Sequence, residues 1–204
     1  MRIALINEFS AMDKNKYIVE ALRKQGREPM NIGMSQEYKD VNLSYINTGF
    51  MAAALLNLDL ADLVVGGCGT GQGFLISVMQ YPGVFCGLIE EPLDAHLFSQ
   101  INGGNCLSLA LNKGFGWAGE LNLSYIFEKF FSQAPGGGYP PERSEPQARS
   151  REILKDVSRA THKPFEELIY FLDKEIIETS LAHQPFSDRL KASDKPLAKE
   201  ILAF

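Results

Sequence analysis

Short apolar runs alternate with amphipathic stretches through the first two thirds of this chain, and that alternation restricts the fold more than any other feature. Residues 2–7, 29–33, 63–66, 84–89 and 105–109 read as strands, each a brief run with little room for anything but buried β-structure. Residues 14–25, 44–57, 92–102 and 116–132 read as helices, and Phe74 to Met79 as a short one behind the third strand. Strand following helix in regular order means parallel strands joined by right-handed crossovers, with helices on both faces. The expected fold is α/β: a Rossmann-like three-layer α/β/α arrangement around a five-stranded parallel sheet.

Past residue 132 the pattern changes. Ala134-Pro135-Gly136-Gly137-Gly138-Tyr139-Pro140-Pro141 suits neither helix nor central strand. Residues 147–160, 164–181 and 195–202 are then helical and more charged. Leu168, Leu172 and Ile176, with Ile169 and Ile177, form an apolar stripe of the kind that serves as core or interface. The expected organisation is an α/β domain over residues 1–143 and a helical extension over 144–204, packed on the body or on a partner subunit.

Composition removes several classes of function. Of 204 residues 45% are hydrophobic, enough for a substantial core, and the net charge of −5 without a basic stripe argues against nucleic acid. No apolar segment reaches the roughly 18 residues that cross a bilayer, so no membrane partner is expected. Three cysteines, at 68, 86 and 106, lack CxxC spacing; their odd number suits a reducing cytoplasm and offers no metal site. The first residues run directly into a strand with no signal-peptide pattern, again pointing to the cytoplasm.

The chemistry concentrates in Cys68-Gly69-Thr70-Gly71-Gln72-Gly73, the turn between the third strand and its helix. A glycine-rich turn there bares backbone N–H groups at a helix N-terminus, an arrangement that binds anions. A cysteine in that positive field is favoured as thiolate, hence a base or nucleophile. Ligands of an open parallel sheet bind beyond the strands' carboxyl ends, which assembles Asn7, Glu8, Cys68, Glu90, Glu91 and the turn from Asn102 to Asn105 around one crevice. Three familiar glycine-turn functions fail here. The third glycine of a dinucleotide fingerprint is replaced by Phe74 or Gln72, depending on the frame. The Gly-Lys-Ser/Thr of a P-loop is absent, and no arginine closes the loop as in a cysteine phosphatase. No cofactor is expected.

The turn and its surroundings resemble the ribose-5-phosphate isomerase B family, which includes the two-subunit galactose-6-phosphate isomerases. The resemblance runs over residues 1–143, and Cys68-Gly69-Thr70-Gly71-x-Gly73 is its most specific element. Glu91-Pro92-x-Asp94-Ala95 resembles the family's helix start after the fourth strand, and Asn102-x-x-Asn105 its histidine–asparagine turn. Gly137-Gly138 with Arg143 resembles its glycine–arginine tail.

The resemblance implies an aldose–ketose isomerase of a phosphorylated pentose or hexose. It implies that Cys68 moves a proton between C1 and C2 through a cis-enediolate. Thr70 and the N–H groups of Gly69, Gly71 and Gly73 would hold the enediolate oxygens. Asn102 would donate to a sugar oxygen, with Asn105 beside it, and Arg143 would grip phosphate. A homodimer or larger oligomer with sites shared between subunits is implied too. The departures are specific: Glu8-Phe9 stands where the family has Asp-His, Ile101 where it has its ring-opening histidine, and Tyr139 where it has a first arginine. A divergent substrate is therefore expected, one bound open-chain or carrying less charge, with Glu8 either one of the few remaining proton donors or an acceptor for N–H groups of a neighbouring loop. A second reading is a non-catalytic sugar-phosphate sensor or partner subunit. Solvent deuterium entering C1 or C2 of a substrate separates the two.

Overall fold

The computed structural model describes residues 1–204. Strands β1 (Ile3–Asn7), β2 (Met30–Asn31), β3 (Leu63–Cys68), β4 (Cys86–Ile89) and β5 (Cys106–Ala110) form one sheet in the order β2-β1-β3-β5-β4. Every neighbouring pair is parallel, as the strand–helix alternation predicts. Helices α1 (Asn15–Lys24), α2 (Tyr45–Asn57), α3 (Gln72–Val78), α4 (Pro92–Leu97) and α5 (Gly119–Phe131) connect and follow the strands. The carboxy-terminal part adds α6 (Ser144–Thr161), α7 (Phe165–Leu168), α8 (Lys174–Ala182), α9 (Gln184–Lys191) and α10 (Pro196–Ile201).

The two-residue period of a strand sorts its side chains onto two faces. Ile3, Leu5, Leu63, Val65 and Leu107 face a core shared with α1, α4 and α5. Ala4, Ile6, Val64 and Cys106 face a second core with α2 and α3. All seven residues from Gly49 to Leu55 of α2 are buried, and a helix apolar all round must be covered on every side. The carboxy-terminal helices supply the cover. Phe165 stacks on Phe50 at 6.2 Å between ring centroids, Phe186 meets it edge-on at 6.3 Å, and Ile169, Ile177 and Ile201 are fully buried. Leu168, Leu172 and Ile176 lie partly buried against this same core, so the predicted stripe is spent within the chain.

Two predicted helices differ in detail, and one helix appears where none was expected. The helix expected over 164–181 is broken after α7, because Asp173 starts a new one: its carboxylate accepts the Glu175 N–H at 3.0 Å. The stretch between residues 182 and 194, which carried no assigned element, contains α9. The helix expected over 92–102 is α-helical only through Leu97; Phe98–Asn102 widens into a π-turn that closes with the Gly103 N–H on the Phe98 carbonyl at 2.9 Å. The Phe98 ring lies against Gly87 and Gly104, where a Cβ atom would sit 2.5 and 2.4 Å from it.

Candidate active site

In this strand order the chain turns from one side of the sheet to the other between β1 and β3, which puts the ligand crevice expected of such a sheet at their carboxyl ends. Glu8 follows β1 and Cys68 ends β3. Glu8 donates its N–H to the Gly67 carbonyl at 3.2 Å, while its buried carboxylate accepts the Ser10 hydroxyl. Asn7, also expected in the crevice, is fully buried instead. Its amide ties Met34 and Ala11 carbonyls and receives Asn15 at 2.8 Å, a structural role.

The glycine turn is built by contact on every side. A side chain on Gly66 would strike the Phe74 ring at 2.1 Å, so the residues under the turn can close up only around glycine. Gly71 starts α3 in the left-handed region at φ 75°, and a Cβ there would sit 2.5 Å from Leu88. Its carbonyl receives the buried Ser108 hydroxyl at 2.6 Å. The Gly69 carbonyl receives the N–H groups of Asn112 and Lys113 at 2.9 and 2.8 Å. In contrast, the N–H groups of Gly69, Thr70, Gly71, Gly73 and Phe74 donate to no acceptor in the chain. Thr70 is exposed and its oxygen accepts the Gln72 N–H at 3.3 Å, leaving the hydroxyl proton free. Cys68 is 5% exposed, which screens its thiol from bulk water at the edge of these donors.

The crevice gains two contributors that the sequence reading missed. Tyr45, first residue of α2, lays its ring over Gly73, 2.9 Å from where a Cβ would stand, with its hydroxyl unpartnered. The only signal for it was its place at the start of a helix entering from the same sheet end. Ser108 was hidden as one polar residue in an apolar strand. The Asn112 amide donates to the Ser10 carbonyl at 2.8 Å and so ties the loop after β5 to the one after β1. Lys113 pairs with Glu90 at 2.6 Å on the rim.

The later turn lies elsewhere. Cys106 of β5 pairs with Val64 at the start of β3, so Asn102 and Asn105 stand at the amino ends of the strands, opposite Cys68 in the same chain. This corrects the single crevice expected from sequence: a parallel strand puts the residues before it and after it at opposite ends of the sheet. Asn105, expected to bind substrate, has its amide engaged in structure, accepting the Phe85 N–H and donating to the Gly83 carbonyl, both at 2.8 Å. Asn102 is exposed with a free amide, and Arg143, at the start of α6, is exposed and unpaired. Near Asn102 opens a cavity of about 390 Å³, lined also by Cys86, Ile101, Gln147, Arg151 and Leu154.

No group of three or more His, Cys, Asp or Glu side chains converges as metal ligands would, and no helix is long and apolar enough to cross a membrane. The fold and the cysteine-led glycine turn at its switch point define a parallel α/β protein with an anion-binding turn. The chain belongs to the ribose/galactose isomerase family, whose model matches residues 3–145, and is thus a sugar isomerase. It is similar over its whole length to 4-deoxy-L-threo-5-hexosulose-uronate ketol-isomerase, whose crystal structure holds a tartrate: 38% identity, TM-score 0.93, 100% of each chain covered. A ribose-5-phosphate isomerase from Vibrio parahaemolyticus is 44% identical, with a TM-score of 0.93 over 100% of this chain and 98% of that one. The ribose 5-phosphate isomerase of Thermotoga maritima shares the fold at 22% identity and TM-score 0.62, covering 76% of this chain and 97% of its own. No curated protein sequence matches the chain.

Proposed function

We propose that this chain is a ketol isomerase that moves a proton between adjacent carbons of an open-chain sugar acid, with Cys68 as the base. The observation carrying this reading is the set of N–H groups from Gly69 to Phe74 that have no acceptor beside a shielded thiol. Such donors gain most from an oxyanion that appears only as the reaction proceeds. Cys68 takes the proton from one carbon and returns it to the next through a cis-enediolate. The N–H groups of Gly69, Gly71 and Gly73, and the Thr70 hydroxyl, stabilise the enediolate oxygens. Tyr45 closes the site over Gly73, and its free hydroxyl suits a sugar oxygen.

Asn102 and Arg143 serve the same reaction from a second copy of the chain, whose amino-end turn faces this crevice in a homodimer. Asn102 donates to a sugar oxygen and Arg143 forks onto the terminal anion. That anion is a carboxylate in the favoured reading. Ile101 in place of the ring-opening histidine and Phe9 in place of the other remove both imidazoles of the family's site, and one arginine suits one negative charge. The full-length similarity to a uronate ketol-isomerase, carboxy-terminal helices included, supports the same class. The second reading, a phosphorylated pentose or hexose, rests on the family and on the 44% identical ribose-5-phosphate isomerase.

Incubation in deuterium oxide with a 4-deoxy-5-hexosulose uronate, ribose 5-phosphate and galactose 6-phosphate decides. Deuterium entering the uronate at the exchanging carbon, with turnover well above the two phosphates, is the expected result. Faster exchange of a phosphate installs the second reading, and tight binding without exchange of any of the three overturns the assigned role of Cys68.

A further inference from the structure

Arg151 lies in α6, beyond the family match at residue 145, and its guanidinium joins two segments far apart in sequence. One nitrogen, Nη1, donates to the Ile101 carbonyl and the other, Nη2, to the Gly136 carbonyl, both at 2.9 Å. The geometry around it is fitted to this reach. Gly136 is left-handed at φ 78°, and a Cβ there would stand 3.0 Å from Nη2; a Cβ on Gly103 would stand 3.4 Å from Cδ. The glycine segment also runs along the π-turn, with Gly136 N–H on the Ser99 carbonyl at 2.8 Å and Gly138 N–H on the Gln100 carbonyl at 2.9 Å.

The Ile101 carbonyl belongs to the planar peptide unit that enters Asn102, so holding that oxygen sets the orientation of Asn102 itself. Nothing else holds the Asn102 side chain: it is exposed and makes no hydrogen bond within the chain. The Gly136 end of the staple lies in the segment that leads to Arg143. We infer that Arg151 is a positioning residue, through which the carboxy-terminal extension sets the two substrate-binding groups, Asn102 and Arg143. A planar fork reaches two carbonyls at once; the ammonium of a lysine on its flexible stem does not reproduce that geometry.

This inference rests on the reading that Asn102 touches substrate, so N102A is measured first. Exchange by N102A equal to wild type removes that reading and the inference with it. With N102A impaired, R151A is expected to lose about tenfold to a hundredfold in kcat/KM, the scale of a displaced binding group, while still unfolding in one cooperative transition. Guanidinium at millimolar concentration restores R151A but leaves N102A impaired, and R151K remains unrescued. Adding R151A to N102A costs less than R151A alone, because only the part acting through Arg143 remains. R151A with wild-type kinetics, or additive losses in the double variant, overturns the role of Arg151 while leaving that of Asn102 intact. Should R151A fail to fold, the cycle of R151K with N102A returns the same decision.

Discussion

The Ser108 hydroxyl, fully buried in β5, donates to the Gly71 carbonyl at 2.6 Å and so binds the start of α3 to the neighbouring strand. Gly71 is the pivot of the turn: its backbone is left-handed, and Leu88 leaves no room beside it for any other residue. S108A removes the donor while Gly71 keeps the Leu75 N–H at 3.1 Å as a partner. The stability loss is therefore expected near 1 kcal/mol by urea unfolding. The loss in kcat is expected to be larger, at about tenfold, because the donors to the oxyanion lose their alignment. Equal effects on stability and on catalysis would show that Ser108 only packs.

Cys68→Ser should keep fold and substrate binding and lose turnover by at least about a hundredfold, since a hydroxyl is a poor base near neutral pH. Labelling by iodoacetamide provides a second check, because exposure and the proposed catalytic role favour different thiols. Cys106 is fully buried, and burial pushes its thiol well above the ordinary range, so it stays unlabelled. Cys86 is half-exposed at the cavity beside Arg151, more open than Cys68 at 5%. Cys68 is expected to react faster than Cys86 despite this. Labelling in order of exposure would refute an activated thiol.

Sites shared between subunits make a sharper prediction than oligomeric state alone. C68S carries an intact Asn102, and N102A an intact Cys68, at opposite ends of the sheet. Mixed and reassociated, the two impaired variants should recover part of the wild-type exchange, because a mixed dimer contains one complete site. A mixture no more active than its components would place both residues in separate functions.

Much of this was legible from residue patterns, and the failures have physical causes. The short apolar runs of β1, β3 and β5, alternating with amphipathic stretches and punctuated by glycine, marked the sheet, and Cys68-Gly69-Thr70-Gly71 stands out by composition. Which end of the sheet a turn occupies is not carried by local pattern: Asn102 to Asn105 reads as polar loop whether it precedes or follows a strand. Tyr45 and Ser108 act through contacts with residues 28 and 37 positions away. Arg151 was one charge among many on α6, distinguished only by the two carbonyls that fold against it.

His183 ties the carboxy-terminal helices to the sheet edge, its Nε2 hydrogen-bonded to the Ile32 carbonyl at 3.0 Å in a buried setting. Burial lowers its pKa against the opposing effect of its bonds to the Ile32 and Gly33 carbonyls. The unfolded chain therefore takes up this proton at higher pH than the folded one. Stability from this residue is complete above the unfolded value of about 6.5 and is lost progressively as pH falls below it. His183→Gln keeps a donor for Ile32 without titrating. Urea midpoints of the two proteins should differ most at pH 7.5 and converge toward pH 5.5; a constant difference would mean His183 does not titrate on unfolding.

Glu8 is the remaining acid on the Cys68 side of the switch point, and its carboxylate is held by Ser10 rather than by a neighbouring loop's N–H groups. Ser10 is exposed, and its oxygen stands 3.2 Å from where a Cβ on Gly69 would be, so its hydroxyl connects the buried carboxyl to the glycine turn. We propose that Ser10 relays a proton between Glu8 and a sugar oxygen. Such a donor matters for a ring-closed sugar, whose ring oxygen must be protonated before the chain opens, and little for one already open. Glu8→Gln is therefore expected to slow a ring-closed phosphate at least about tenfold more than an open-chain uronate, and Ser10→Ala to reproduce that selectivity. Equal losses on both substrates would leave Glu8 as a group that orients the sugar. Selective loss in Glu8→Gln with none in Ser10→Ala would remove the relay but keep the acid.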